Sequence, residues 1–161
     1  MRRPEARSVG EPERVVLFVC TENRFRSQVA EAYFNAMAPP GWRAVSAGSK
    51  PAEEVHPNAV KLMLEEGIDI SGKKPKPLTP ELQRIAEIGV VVCGESESGT
   101  CPTVYTRYVE HWEIPDPARM SLEEARKVRD EIKRRVIDLI ERIKRGEVPP
   151  ARRQRLSLEL G

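Results

Sequence analysis

The segment from residue 15 to residue 37 constrains the fold more than any other part of the chain. It opens with VVLFV at 15–19, a continuous apolar run rich in valine that is typical of a buried parallel strand. The polar stretch CTENRFRS follows, and then QVAEAYFNAM, in which Val29, Tyr33 and Met37 recur at helical spacing. A strand that leads through a short loop into a helix predicts an α/β protein.

The rest of the chain repeats this alternation. Further strands are predicted at 43–47, 88–92 and 109–114, and further helices at 57–66 and 81–87. The last helix begins at a capping box formed by Ser121 and Glu124, and its apolar stripe runs from Ala125 to Ile143. Strands that alternate with helices predict one parallel sheet with helices on both faces.

Length and composition indicate one domain. The 161 residues divide into a polar extension at 1–13, a domain at 14–146 and a tail at 147–161. The extension lacks the apolar centre of a secretory signal, and no apolar run is long enough for a membrane span, so a cytoplasmic location is predicted. The 27 basic and 25 acidic residues give a net charge of +2, which does not favour nucleic-acid binding.

The loop from Cys20 to Ser27 carries the clearest chemical pattern. Cys20 ends the first strand, and Arg26 opens the helix that follows. Loop N–H groups and a helix N-terminus bind anions, and a guanidinium can grip two anion oxygens. The same positive field favours the thiolate form of Cys20, to which Ser27 can donate. A lone cysteine in this place would more often be a core residue, but this context favours a nucleophile.

Asp116 and the other two cysteines are further candidates. Asp116 lies between two prolines, on a stiff loop that suits a general acid, although spacing alone favours an ordinary turn residue. Cys93 ends the third strand, and Cys101 lies across a loop with glycine and serine. That loop can bring Cys93 to Cys101, or let Cys93 swing toward Cys20, or leave one core cysteine and one bystander.

The two histidines do not predict a metal site. Neither His56 nor His111 has a cysteine, histidine or carboxylate neighbour at metal-ligand spacing. Both are therefore interpreted as structural or surface residues.

Four segments in order carry a resemblance to a known family. VLFVCTENRFRSQVAEAYF resembles the signature loop of the low-molecular-weight protein tyrosine phosphatase superfamily. VSAGSKPAEEVHPNAVKLMLEEGIDISG, VVVCGESESGTCP and EHWEIPDPA are similar to its thioredoxin-coupled arsenate reductases, and Gln28 is typical of that branch. The resemblance covers residues 14–145 and implies a single domain with a four-stranded parallel sheet flanked by helices.

The resemblance also implies a reaction without a bound cofactor. Cys20 attacks arsenate that is held by Arg26, and Asp116 protonates the leaving hydroxyl. Cys93 then attacks Cys20 and releases arsenite, and Cys101 moves the disulfide outward to the Cys93–Cys101 pair. Thioredoxin or a similar dithiol protein reduces that pair.

The anion-binding loop is implied by the same resemblance, and this chain departs from the family's pattern within it. The loop consists of Thr21, Glu22, Asn23, Arg24, Phe25 and Arg26. Asn23 and Ser46 match residues that brace it. Glu22 replaces a usual glycine, which brings negative charge and strains the backbone if that position needs φ > 0, and Arg24 can offset the charge. Phe25 stands where a small residue is usual.

The residues leave two other functions open. A phosphatase acting on phosphotyrosine proteins or aryl phosphates needs only Cys20, Arg26 and Asp116, because phosphate and arsenate share shape and charge. A non-enzymatic oxyanion-binding or redox-sensing module is favoured by Glu22, with the basic tail at 151–155 as a partner-binding segment. Lys76 stands where some family members have an acidic residue associated with a cation, so no potassium-type site is predicted.

Overall fold

The computed structural model describes residues 13–94 and 101–150. In chain order its elements are β1 (Arg14–Cys20), α1 (Arg26–Met37), β2 (Trp42–Gly48), α2 (Pro57–Leu64), α3 (Pro80–Ile85), β3 (Ile88–Cys93), β4 (Tyr108–Glu113), a 3₁₀ helix (Pro117–Arg119) and α4 (Leu122–Lys144). The four strands form one sheet in the order β2-β1-β3-β4, and every pairing is parallel. The predicted α/β fold with a four-stranded parallel sheet is confirmed.

Element boundaries differ from the predicted ones at two helix ends. Helix α2 ends at Leu64, two residues early, because the chain turns into Gly67, whose φ of +76° cannot continue a helix. Helix α3 ends at Ile85 because the backbone of Ala86 is extended and the N–H of Glu87 already bonds to β1. Both differences arise where the next strand or turn takes over the backbone hydrogen bonds.

The side chains of β1 separate two cores. Val16 and Phe18 belong to the larger core, which includes apolar side chains of α1, α2 and α4. Val15 and Val19 belong to a smaller core on the opposite face, into which Leu82 of α3 packs. The unbroken apolar run of β1 is explained by this burial on both faces, and the predicted placement of helices on both faces is confirmed.

The strand order places the end of β1 at a topological switch point. The chain passes from β1 to β2, which pairs with one edge of β1. The next strand, β3, pairs with the other edge of β1. Cys20 is the last residue of β1 and pairs with Gly48, the last residue of β2. Crevices at such points are the usual ligand sites of open parallel sheets.

Helix α4 packs its apolar face into the larger core, and Val148, beyond the end of the helix, packs there as well. The predicted capping box is present, with the Ser121 hydroxyl and the Glu124 carboxylate each accepting from the other's backbone N–H. Val148 is buried in the larger core. Residues 1–12, 95–100 and 151–161, which include most of the predicted extension at 1–13 and of the predicted tail at 147–161, lie outside the described residues. Within the described ranges, no helix is both long and apolar enough to cross a membrane.

Candidate active site

The loop between β1 and α1 places two buried side chains, those of Cys20 and Arg26, at its two ends. Cys20 is a free thiol, buried, with its Sγ atom 3.0 Å from Oγ of Ser27. Arg26, the first residue of α1, is also buried, and its Nη1 donates to the carbonyl of Ile114 at 2.9 Å. This bond ties the Cys20 loop to the chain segment that leads into Asp116.

A cleft of about 370 Å³ opens over this loop. Its lining consists of Cys20, Thr21, Glu22, Arg24, Phe25, Arg26, Asp116, Ala118 and Arg119. The structure therefore brings the predicted nucleophile, the predicted anion clamp and the predicted acid to one cavity. Three arginines line the cleft, which suits it to an oxyanion.

Asp116 combines a turn role with a place in the cleft. Its Oδ1 accepts from the N–H of Ala118 at 3.1 Å, which caps the 3₁₀ helix, while the side chain is exposed. The flanking prolines fix the backbone on either side of it. The turn role and the active-site role are thus compatible, because the capping bond uses only one of the two carboxylate oxygens of Asp116.

Asn23 holds the loop from inside. It is fully buried with φ of +53°, a conformation that asparagine tolerates better than most residues. Its Nδ2 donates to Ser27 Oγ at 2.7 Å and to Ser46 Oγ at 3.0 Å. Its Oδ1 accepts from the backbone N–H of Lys76 at 2.9 Å, which fixes the orientation of the amide. Asn23 and Ser46, for which the resemblance implies a bracing role, are in direct contact here.

The same bonds determine the direction of the hydrogen bond at Cys20. Ser27 Oγ accepts a proton from Asn23, so its own hydroxyl proton is available for Cys20 Sγ. In this arrangement the Ser27 hydroxyl is the donor and Cys20 Sγ is the acceptor, 3.0 Å away. The expected donation from Ser27 agrees with this geometry.

The structure shows the backbone and the charge partner of Glu22. Among the described residues, Asn23 is the only non-glycine residue with a positive φ, so the condition under which Glu22 would strain the backbone is not met. The left-handed backbone conformation of the loop occurs one position later, at Asn23, and asparagine tolerates it. Arg24 Nε lies 2.8 Å from Glu22 Oε1, an ion pair whose N–H is not aligned as a hydrogen bond. Arg24 therefore offsets the charge of Glu22, as predicted.

Phe25 lines the cleft and packs against His56. Phe25 is buried, and its ring lies 5.4 Å from the ring of His56. Nδ1 of His56 accepts from the N–H of Asn58, so Nε2 carries the proton and donates to the carbonyl of Ala118 at 3.0 Å. His56 has the structural role that was predicted, and it joins the start of α2 to the Asp116 segment. His111 is exposed on β4.

The three cysteines are not all together. Cys93 and Cys101 form a disulfide with a Cα–Cα distance of 6.1 Å, which is the first of the pairings that the sequence left open. Cys93 packs in the smaller core with Val91, whereas Cys20 contacts Ser27 of α1 on the opposite face of the sheet. In this state Cys93 and Cys20 end neighbouring strands but face apart, so contact between them requires the end of β3 to rearrange.

Sequence reasoning gave no site role to three polar residues next to the loop, although Gln28 was noted as typical of the arsenate reductases. Glu31 and Gln28 are buried on α1, and Lys73 forms an ion pair with Glu31. Gln28 Nε2 donates to the carbonyl of Asn23 at 3.1 Å. The available signal was a carboxylate in a helix otherwise rich in small and aromatic residues. Among the described residues, no group of three or more histidine, cysteine or acidic side chains could hold a metal ion.

Comparison with known proteins agrees with the resemblance found in the sequence. Residues 15–148 match the low molecular weight phosphotyrosine protein phosphatase family, and the chain belongs to that family. It is 38% identical to an arsenate reductase of Brevibacillus brevis over 127 residues, which cover 78% of this chain and 93% of that protein.

Two solved structures are similar over most of this chain. The thioredoxin-dependent arsenate reductase of Corynebacterium glutamicum has a TM-score of 0.69 at 31% identity, covering 85% of this chain and 65% of that one. A low molecular weight protein tyrosine phosphatase from T. tengcongensis has a TM-score of 0.69 at 31% identity, covering 81% and 99%. The predicted family is confirmed, and both of its activities are represented among the similar structures.

Proposed function

We propose that this protein reduces arsenate to arsenite and that a thioredoxin-like dithiol protein supplies the electrons. One observation carries the proposal: Cys20 is a free thiol in the predicted oxyanion-binding loop, while Cys93 and Cys101 are joined in a disulfide. A hydrolytic enzyme would need only the first of these features. The arsenate reductases that are similar to this chain support the same conclusion.

The first proposed step forms a bond between sulfur and arsenic. Arg26 and the loop N–H groups hold the arsenate, and the Cys20 thiolate attacks the arsenic atom. Asp116 gives a proton to the departing hydroxyl group, which leaves as water. The Ser27 hydroxyl lies 3.0 Å from the sulfur of Cys20, and arsenic stays pentavalent in this step.

The second proposed step is the reduction. The Cys93 thiolate attacks the sulfur of Cys20, so a Cys20–Cys93 disulfide forms while the bond between sulfur and arsenic breaks. The electron pair of that bond remains on arsenic, which leaves as trivalent arsenite. The two electrons come from the two sulfurs. Because Cys93 faces the smaller core in the disulfide form, this step uses a different arrangement of the end of β3.

The third proposed step restores Cys20. The Cys101 thiolate attacks Cys93, the Cys93–Cys101 disulfide forms, and Cys20 leaves as a thiolate. The structure has the covalent bonds expected after this step and before reduction by the external dithiol. A reducing compartment such as the cytoplasm would provide that dithiol.

Phosphate-ester hydrolysis is the second candidate function. Cys20, Arg26 and Asp116 line one cleft without help from Cys93, which is the minimal set for a cysteinyl-phosphate intermediate. The similar phosphatase structure favours this activity as well. The non-enzymatic alternative loses its main support, because Glu22 is paired with Arg24 and causes no backbone strain.

A coupled assay separates the two functions. Arsenate, thioredoxin, thioredoxin reductase and NADPH are supplied, and p-nitrophenyl phosphate hydrolysis is measured in parallel. Cys20→Ser should abolish both activities, and Cys93→Ser should abolish only NADPH oxidation. Cys101→Ser should release about one arsenite per enzyme and then accumulate a Cys20–Cys93 disulfide, which mass spectrometry detects.

The opposite pattern would overturn the proposal. Hydrolysis that depends on Cys20, together with no arsenate-dependent NADPH oxidation by the wild-type protein, would assign the chain to the phosphatases. Full reductase turnover in Cys93→Ser would rule out the proposed path of electrons.

A further inference from the structure

His56 is a partly buried residue that no step of the proposed mechanism uses, and it contacts both sides of the cleft. Its backbone N–H donates to the carbonyl of Arg24 at 2.9 Å, and its Nε2 donates to the carbonyl of Ala118 at 3.0 Å. Arg24 and Ala118 both line the cleft, one from the anion-binding loop and the other from the segment that follows Asp116. His56 therefore connects two segments that have to act on the same substrate.

The segment that carries the proposed acid, residues 114–118, is here called the acid segment. It is tethered at both ends. Arg26 donates to the carbonyl of Ile114 at 2.9 Å, and His56 donates to the carbonyl of Ala118. Arg26 begins α1 and His56 is the N-cap of α2, and both helices pack into the larger core. The two tethers thus hold the acid segment against the packed part of the domain.

The tether at Ala118 reaches the carboxylate of Asp116 through a single residue. The N–H of Ala118 donates to Oδ1 of Asp116 at 3.1 Å, while the carbonyl of Ala118 accepts from His56. Asp116 is exposed, so backbone contacts rather than packed side chains set its position. A general acid works only within hydrogen-bond reach of the atom that it protonates, so this position matters for the reaction.

We propose that His56 is a positioning residue that holds Asp116 over the anion-binding loop by way of Ala118. The ring of His56 also packs against Phe25, with 5.4 Å between the ring centroids, which fixes the direction of Nε2. Because its backbone N–H bonds to the loop, one residue sets the spacing between the proposed nucleophile and the proposed acid. The inference rests on the proposed function only in that Asp116 is the general acid.

Two substitutions separate this role from the capping of α2. Nδ1 of His56 accepts from the N–H of Asn58 and caps that helix, while Nε2 makes the tether. In His56→Asn the short side chain keeps an acceptor for the cap but ends before Ala118. In His56→Gln the amide extends about as far as Nε2 and donates to Ala118, but it does not supply the cap. With a purely structural role, activity would follow the stability of α2, whereas the proposal makes activity follow the tether.

The assay compares two aryl phosphates that differ in their need for a proton. The P–O bond breaks as the Cys20 thiolate attacks phosphorus, and Asp116 gives its proton to the departing oxygen. p-Nitrophenolate leaves readily as an anion, whereas phenolate, whose conjugate acid has a pKa of about 10, depends on that proton. His56→Asn should lower kcat/KM about 10–100-fold for phenyl phosphate and less than about threefold for p-nitrophenyl phosphate. His56→Gln should stay within about threefold of the wild type for both esters, although it unfolds at a lower urea concentration.

Asp116→Asn provides a background in which the effect should vanish. Its amide oxygen still accepts from Ala118, so the acid segment keeps its cap and loses only the proton donor. Adding His56→Asn to this background should change kcat/KM by less than about twofold, because a residue that acts through Asp116 has no acid left to position. His111→Asn is the matched control: His111 is exposed on β4 and is not among the residues that line the cleft, so both esters should react as with the wild type.

Hydrogen exchange of the acid segment is a second readout that needs no substrate. Mass spectrometry of a peptide that covers residues 114–120 should show exchange about tenfold faster in His56→Asn and unchanged in His111→Asn. His56→Phe keeps a ring against Phe25 but has no donor, so it takes the place of His56→Asn if urea unfolding shows that the latter does not fold.

The outcomes that would overturn the inference are distinct. They are equal losses for the two esters, losses that multiply in the double variant, and unchanged exchange of the acid segment in the variants without the tether. None of these measurements uses arsenate or thioredoxin. Failure of the inference is therefore distinguishable from failure of the proposed reductase activity, which the coupled assay reports.

Discussion

The substitution Gly48→Ala should disturb the anion-binding loop directly. Gly48 ends β2 beside Cys20, and a Cβ atom added there would lie 2.6 Å from the carbonyl oxygen of Thr21 and 3.0 Å from Asn23. The Thr21 carbonyl cannot easily turn away, because it accepts from the N–H of Lys50 at 2.8 Å. Both contacts are with the loop that holds the proposed nucleophile.

The size of the effect follows from these distances. Ordinary contact begins near 3.4 Å, so the loop must retreat by about 0.8 Å from the added carbon. Overpacking of this kind costs about 1–3 kcal/mol, and loss of the Thr21–Lys50 hydrogen bond adds about 1 kcal/mol. A misplacement near 1 Å lowers catalytic efficiency by up to about 100-fold, so we expect kcat/KM to fall by about 10–100-fold.

Urea unfolding and arsenate-dependent NADPH oxidation measure the two effects. Gly72→Ala is the control, because a Cβ at Gly72 meets no atom within 4 Å and the backbone there does not have a positive φ. Should Gly48→Ala match Gly72→Ala in both unfolding free energy and kcat/KM, the argument that the loop is held against Gly48 would be wrong.

Two further predictions concern stability. Ser121→Ala removes the side-chain half of the capping box with Glu124 and should lower the unfolding free energy by about 1 kcal/mol, measured by urea titration; no change would mean that the box adds nothing to α4. Hydrogen bonds from Arg126 and Arg129 lower the pKa of Glu65 from 4.5 to about 2. The folded state is therefore favoured above pH 4.5, and this advantage disappears as the pH falls toward 2. Glu65→Gln should flatten that part of the stability profile relative to the wild type, with a smaller difference at 1 M salt, and parallel profiles would contradict the assignment.

Local patterns in the sequence determined the secondary structure and the nucleophile loop. The apolar run of β1 and the capping box of α4 are properties of consecutive residues, and both elements form where they were predicted. The pair Cys20 and Arg26 was identifiable for the same reason. When a short loop joins a strand to the helix that follows it, the strand end and the helix start both lie at the carboxyl end of the parallel sheet, whatever the rest of the chain does.

Only the tertiary structure decided which distant groups meet. Glu31 and Lys73 are separated by 42 positions, and only the folded chain brings the ammonium group of Lys73 to 2.9 Å from the carboxylate of Glu31. The sheet register places Cys20 and Cys93 on neighbouring strands, yet their side chains face apart, which no spacing rule reveals. Periodicity fixes which residues of one element share a face, but strand order and register set the contacts between elements. Strand order and register depend on the free energy of the whole packed domain rather than on any local run of residues.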